Sequence, residues 1–150
     1  MINMRHWEDI ARANANNRLQ TNGRLSGKIA LVTGGAQGFG RGIAEELYRE
    51  GARVCIADLN GPQAIKAATS LGERAFALKA DVTDEADVAS MVAACAERFG
   101  GLDLLISNAG ILRAGSLDEM EKADFELVTA VNYTAFFTCV KYASRIMKAQ

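Results

Sequence analysis

"VTGGAQGFGRGI", Val32 to Ile43, places five glycines within nine residues, at Gly34, Gly35, Gly38, Gly40 and Gly42. An apolar run, "KIALVT" from Lys28, leads into it, and an amphipathic run, "GIAEELYREG" from Gly42, leads out of it. A strand-to-helix turn of this kind offers unpaired backbone N–H groups and the positive end of a helix dipole, a setting for a phosphate. Glycines permit the tight turn and let backbone come close to a ligand. The spacing is Thr33-Gly34-x-x-x-Gly38-x-Gly40. It is neither the strict G-x-G-x-x-G nor a P-loop, which would end in Gly-Lys-Ser/Thr. Taken alone, the turn is equally a sharp reversal with close helix packing.

Outward from the turn the pattern repeats. "KIALVT" reads as a strand buried on both faces. The run after it puts Ile43, Ala44, Leu47 and Tyr48 on one helical face and stops at Gly51. "ARVCIAD" is a second buried strand, and "GPQAIKAATSLG" a helix with Pro62 in its first turn and Gly72 after it. "RAFALKAD" is a third strand. "DEADVASMVAACAERFG" sets Val88, Met91, Val92, Cys95 and Phe99 on one helical stripe, "LDLLISN" is a fourth strand, and a longer helix runs from about Asp124 to Lys148. The order β-α-β-α-β-α-β-α predicts an α/β fold: a doubly wound parallel sheet of about four strands with helices on both faces. Ligands in such sheets sit at the carboxyl ends of the strands. Gly34 to Gly40, Asp58, Asp81 and Asn108 to Gly110 all fall there.

Composition narrows the class. The 150 residues suit one domain, with 49% hydrophobic and 23% charged residues and a formal net charge of -1. No stretch is dense in Lys and Arg, so nucleic acid is not an expected partner. Cys55, Cys95 and Cys139 fit no zinc spacing and read as buried apolar residues in a reducing compartment; His6 is the single histidine. No metal is therefore expected on His/Cys ligands. No apolar run approaches the roughly 18 residues of a membrane span, and the start lacks the apolar core of a signal peptide, so the expectation is a cytoplasmic protein without a membrane partner. Residues 1–27 stand apart, rich in Asn and carrying a charge of +2 from Arg5, Arg12, Arg18 and Arg24 against Glu8 and Asp9. Met4, Trp7, Ile10 and Ala11 have helical spacing, which predicts an arm docked by Trp7 onto a domain of residues 28–150; a partly disordered tail is the competing reading.

Asp58 lies 18 residues past Gly40, at the end of the second strand, with Leu59 after it. A carboxylate there accepts hydrogen bonds from the two hydroxyls of an adenosine ribose and repels a 2′-phosphate, and no Arg or Lys occupies 59–61. That favours NAD over NADP. An ordinary capping aspartate is the alternative.

At this point residues 25–150 resemble the short-chain dehydrogenase/reductases, a family with a Rossmann-like sheet. "TGGAQGFG" resembles the family's T-G-x-x-x-G-x-G loop, Asp58 its NAD-selecting acid, "DVTD" (Asp81 to Asp84) its adenine-contacting segment and "SNAG" (Ser107 to Gly110) its N-N-A-G motif, with Ser107 in place of the first Asn. "VNYTAFF" (Val131 to Phe137) holds an Asn, Asn132, where the family keeps a catalytic one. The resemblance implies that Gly34, Gln37, Gly38, Phe39 and Gly40 surround the pyrophosphate and its neighbouring ribose. It implies that Asp81 bonds the adenine amino group beside the Val82 backbone, and that Asn108, Ala109 and Gly110 floor the site. Asn132, a poor residue for mid-helix, would disturb its helix and hold a proton-relaying water.

The implied chemistry is oxidation of a secondary alcohol to a ketone by hydride transfer, with a Tyr as acid/base and a Lys four residues on. Here Tyr48 is followed at that distance by Ala52, Tyr133 by Phe137 and Tyr142 by Ile146. The reading is thus an incomplete domain, cut before the catalytic Ser, Tyr and Lys by on the order of 100 residues. Alone it would be inactive and would leave strand four as an exposed apolar edge. Within the family, the "AQGFG" wording and the arm resemble the sorbitol-6-phosphate 2-dehydrogenase branch, so a sugar alcohol or its phosphate is the substrate class in view. The resemblance also implies a dimer or tetramer joined partly through the Asp124–Lys148 helix. The alternative is a non-catalytic dinucleotide-binding module.

Overall fold

The computed structural model describes residues 2–150. The elements are α1 (Arg5–Asn14), β1 (Ile29–Thr33), α2 (Gly38–Arg49), β2 (Arg53–Asp58), α3 (Gly61–Leu71), β3 (Ala75–Lys79), α4 (Glu85–Phe99), β4 (Leu104–Ser107), α5 (Lys122–Thr129), a π-helical turn (Ala130–Thr134) and α6 (Ala135–Ala149). The four strands form one parallel sheet in the order β3-β2-β1-β4. The chain runs outward from β1 to β3, then returns to pair β4 on the other side of β1. The crevice between β1 and β4, beyond their carboxyl ends, is the topological switch point of such a sheet.

Strand alternation sorts the core into two layers. Leu31, Cys55, Ala57, Phe76, Leu78 and Leu105 face one layer, built with α1, α4 and α6. Val32, Val54, Ile56, Ala77 and Ile106 face the other, built with α2 and α3. The central β1 is buried along its whole length. Local signals set the element ends. Asp84 accepts from the amides of Ala86 and Asp87 at the start of α4, Asn60 accepts from Gln63 at the start of α3, and Gly100 closes α4 in the left-handed conformation.

Three details differ from the sequence pattern. First, α2 begins at Gly38 rather than Gly42, so three of the five glycines lie inside the helix. Propensity argues against that, and close packing overrides it, as the site shows. Second, the arm is an ordered helix whose anchors are Met4 and Ala11, both fully buried, with Trp7 packed at the margin. An unbranched Met adapts to an irregular core more readily than a rigid indole does, and Met4 joins the core that α4 and α6 share. Glu8 meets Arg145 of α6 at 2.6 Å, and the chain beyond the helix is tied down by Leu25 N–H to Glu50 O (2.8 Å) and Thr21 Oγ1 to Gly51 O (2.6 Å). Third, the helix expected over 124–148 starts at Lys122 and breaks its α ladder at Ala130–Thr134. Of its apolar residues Tyr142 is buried, whereas Phe136 and Val140 stay exposed.

Candidate functional site

The site begins with one hydroxyl. β1 ends at Thr33, which is fully buried. Thr33 Oγ1 accepts from the backbone N–H groups of Asn108 and Ala109, both at 3.1 Å. The Asn108 amide returns the contact, donating from Nδ2 to Thr33 O (3.0 Å) and Gly34 O (3.1 Å). The turns after β1 and β4 are thereby sewn together, with Thr33 Oγ1 and Asn108 Nδ2 both paired.

The glycines allow that seam to close. Gly34 has φ +64, and a Cβ on it would meet Ala109 Cα at 2.8 Å. A Cβ on Gly40 would run into Gly34 O and Asn108 Nδ2, which is why a glycine is kept inside α2. Gly38 differs: its φ is +56, yet a Cβ there would meet nothing within 4 Å. It faces open space. The first helical bond of α2 is Arg41 N–H to Gln37 O (3.2 Å), so the amides of Gly38, Phe39 and Gly40 have no helical partner.

At the end of β2, Asp58 Oδ2 accepts from Ala36 N–H (3.0 Å) and Oδ1 from Asn60 N–H (2.9 Å). Its role is not the capping of α3, which Asn60 performs. Past β3, Asp81 Oδ1 accepts from Thr83 N–H (2.9 Å) and Thr83 Oγ1 (2.7 Å), and these bonds hold its carboxyl below the usual carboxylate range. Asp84, three residues on, caps α4. Beyond β4, Asn132 reaches back from the π-helical turn. Its Oδ1 accepts from Ile111 N–H (2.9 Å), and its Nδ2 donates to Ile111 O (2.8 Å). The Asn132 side chain is thus committed to the backbone beside Gly110, and the π turn is the helix disturbance expected of that residue.

These pieces enclose a cleft of about 660 Å³ at the carboxyl end of the sheet. Gly34, Gln37, Gly38, Phe39, Gly40, Asp58, Leu59, Asp81, Val82, Asn108, Ala109 and Gly110 all line it. Asn132 stands just behind the lining, next to Val131, which does line it. Phe39 (90% exposed) and Leu59 (63%) rim the cleft as bare apolar side chains. Sequence reasoning passed over Asn60, Ile111 and Val131 in the lining, and Thr33 as the hub. The one hydroxyl ending an otherwise apolar strand was the available signal for Thr33.

Elsewhere the chemistry is quiet. All three cysteines are buried and unbridged; burial pushes the Cys55 thiol well up and that of Cys139 up to about 11, which leaves neither as a nucleophile. Among the described residues no group of three His, Cys, Asp or Glu side chains is placed to hold a metal ion, and no helix is long and apolar enough to cross a membrane.

Comparison with known proteins agrees with this geometry. The family model described as short chain dehydrogenase matches residues 28–150. A sorbitol dehydrogenase of Cereibacter sphaeroides is 38% identical over 126 residues, which covers 84% of this chain and 49% of that protein. A galactitol 2-dehydrogenase of Agrobacterium fabrum is 38% identical over 127 residues, 85% of this chain and 50% of that one. Among solved structures, a 3-ketoacyl-(acyl-carrier-protein) reductase from Brucella melitensis, crystallised with NADH, superposes with a TM-score of 0.76 at 36% identity, over 78% of this chain and 49% of that chain. The chain spans about half the length of the curated relatives it matches. It belongs to the short-chain dehydrogenase family.

Proposed function

We propose that this member of the short-chain dehydrogenase family binds NAD in the cleft, as the cofactor-binding part of an enzyme that oxidises a secondary alcohol to a ketone. The observation that carries the reading is the convergence of all twelve candidate residues on one cleft at the switch point of the sheet. The cleft has the size of a small-molecule site. The residues also fit the cofactor chemically. Gly38 leaves open space beside three helical amides without partners, a cradle for a pyrophosphate. Asp58 holds a carboxylate with each oxygen fixed by one backbone amide, leaving the remaining lone pairs for two ribose hydroxyls.

When bound, the dinucleotide supplies the hydride acceptor or donor. The chain's own residues bind and orient it. Gly34, Gln37, Gly38, Phe39 and Gly40 hold the pyrophosphate and its ribose, Asp81 and Val82 the adenine, and Asn108, Ala109 and Gly110 floor the site. Asn132 fixes the Ile111 backbone and contributes, from the π turn, to proton relay. Asp58 favours NAD over NADP by repelling a 2′-phosphate. The sorbitol and galactitol dehydrogenases among its relatives support a sugar alcohol, or its phosphate, as substrate class. A cytoplasmic location and a homo-oligomer complete the reading, with no nucleic acid as partner.

Calorimetric titration with NAD+ and NADP+ tests the proposal. NAD+ is expected to bind at least tenfold more tightly; no binding, or a preference for NADP+, overturns it. A second reading is a dinucleotide-binding module without catalysis. The intact mass of the native protein from its source separates the two. A mass well above 16.1 kDa, with Tyr-x-x-x-Lys in the extension, favours the dehydrogenase; 16.1 kDa favours the module.

A further inference from the structure

The turn from Gly34 to Gly38 must be held in shape by something, because its glycines restrain it least of all residues. Two backbone bonds reach it from the end of β2. Gly34 N–H donates to Ala57 O (2.8 Å), and Ala36 N–H donates to Asp58 Oδ2 (3.0 Å). A weaker contact links Gln37 to Gln63 of α3 at 3.4 Å. Ala36 is buried, at 1% exposure, so its amide has no ready access to water if Asp58 is removed. The other carboxylate oxygen is held by Asn60 N–H at 2.9 Å, which fixes the plane of the group.

We infer that Asp58 is a positioning residue for the glycine turn as well as a ribose ligand: its carboxylate shapes the phosphate cradle before any ligand arrives. The inference deepens the dinucleotide reading and rests on it for the ligand, though not for the tether. It separates two properties of one side chain. Charge discriminates against a 2′-phosphate; the oxygen acceptor on Ala36 N–H holds the turn. Asp58→Asn removes the charge and keeps an oxygen acceptor. Asp58→Ala removes both. Both variants are therefore expected to bind NAD+ more weakly than the wild type, the Asn variant with its preference against NADP+ relaxed and the Ala variant weaker still toward both cofactors.

The test has two arms on the native protein and its variants, the first of them without ligand. The first is hydrogen exchange at the Ala36 amide. Slow exchange is expected in the wild type and in Asp58→Asn, and exchange about tenfold or more faster in Asp58→Ala. The amides of Val32 and Ile56 in the sheet should not change. Should Asp58→Ala lower protection throughout the sheet, Asp58→Ser takes its place: its hydroxyl still serves the Asn60 turn but is too short to reach Ala36. Ala36 protection as high in Asp58→Ala or Asp58→Ser as in the wild type overturns the tether. The second arm is titration with NAD+ and NADP+. Asp58→Asn is expected to bind the two within a fewfold of each other, and Asp58→Ala to bind each about tenfold more weakly than Asp58→Asn. Equal affinities in the two variants also overturn the tether. If no variant and no wild type binds either dinucleotide, the functional reading falls, and the exchange arm still decides the tether.

Discussion

The two ends of the sheet are both polar, yet the cleft of about 660 Å³ lies at the carboxyl end. At the carboxyl end the polar groups are backbone amides and short side chains: Thr33, Asp58, Asp81 and Asn108, with glycines between them. At the amino end they are long cations. Arg18, Lys28 and Arg53 crowd Asp103 and Gln150; Arg18 Nη2 meets Gln150 Oε1 at 2.6 Å, Lys28 stands 4.0 Å from Asp103, and Arg53 lies over the Phe99 ring at 5.3 Å. Arg18 Nη1 and Arg53 Nε and Nη2 are enclosed by protein without a hydrogen-bond partner, and burial pushes both guanidinium pKa values down. A site needs unfilled space next to donors that are already oriented. The carboxyl end has both, because its side chains stop short; at the amino end the side chains have filled the space themselves. Charge concentrated at a sheet end therefore does not make a ligand site.

Adding an atom at the carboxyl end should do the most harm. A Cβ on Gly40 collides with Gly34 O and Asn108 Nδ2, both anchored in the seam. Gly40→Ala gains about 1 kcal/mol of helix propensity but loses about 3 kcal/mol or more to overpacking. The expected result is a Tm lower by roughly 5–10 °C and at least a tenfold loss of NAD+ affinity. Gly42→Ala, two residues along the same helix, meets nothing within 4 Å and should raise Tm slightly. If both changes act alike, the seam is not what demands glycine.

Next in size is the hub. Thr33→Val keeps the shape and removes Oγ1, stranding the Ala109 amide, while the Asn108 amide keeps its bond to Ile106 O at 3.1 Å. A cost of about 1–3 kcal/mol follows in chemical denaturation, the range for one stranded buried donor. At the amino end the sign should reverse. Arg53→Met keeps the packing against Phe99, gives up a cation–π contact of about 0.5–1 kcal/mol and removes two stranded nitrogens. A net change between zero and about 1 kcal/mol of added stability is expected, with NAD+ affinity unchanged. A loss of more than 1 kcal/mol would mean that the amino-end cations are paired through water.

How much of this contrast was readable beforehand depends on the kind of signal. Strand and helix order is periodic, and the runs through Leu31, Cys55 and Val88 declare it directly. Twelve of the lining residues were readable because the segments that carry them follow strand ends and resemble the family's motifs. What stayed hidden depends on contacts between distant segments. Nothing local to Gly38–Gly40 announces that α2 starts there; the reason lies in Asn108, some 70 residues on. Asn132 looked like a disturbed helix residue, and the structure adds the partner, Ile111, across an irregular loop with no period to read. Met4 outranks Trp7 as an anchor because it is fully buried in a core shared by α4 and α6, a surrounding no single segment carries.

The smallest effect tests whether the carboxyl end orders its charges by local bonds. Asp81 is held ionised mainly by Thr83, through the hydroxyl first and the backbone amide second. Its folded pKa lies below the ordinary value of about 3.9. The associated stability is therefore present above pH 4 and is lost as pH falls through the folded value. Thr83→Val removes the hydroxyl and keeps the amide, so the Asp81 midpoint should move part of the way back up. Carboxyl carbon chemical shifts followed against pH read it directly. The acid loss of stability, which begins near the unfolded value in both proteins, should then be smaller and end at slightly higher pH, and because Asp81 is only half-buried and its bonds are partly screened the difference at pH 7 is small. An unchanged midpoint would assign the depression to the Thr83 backbone amide or to Lys79, and not to the hydroxyl.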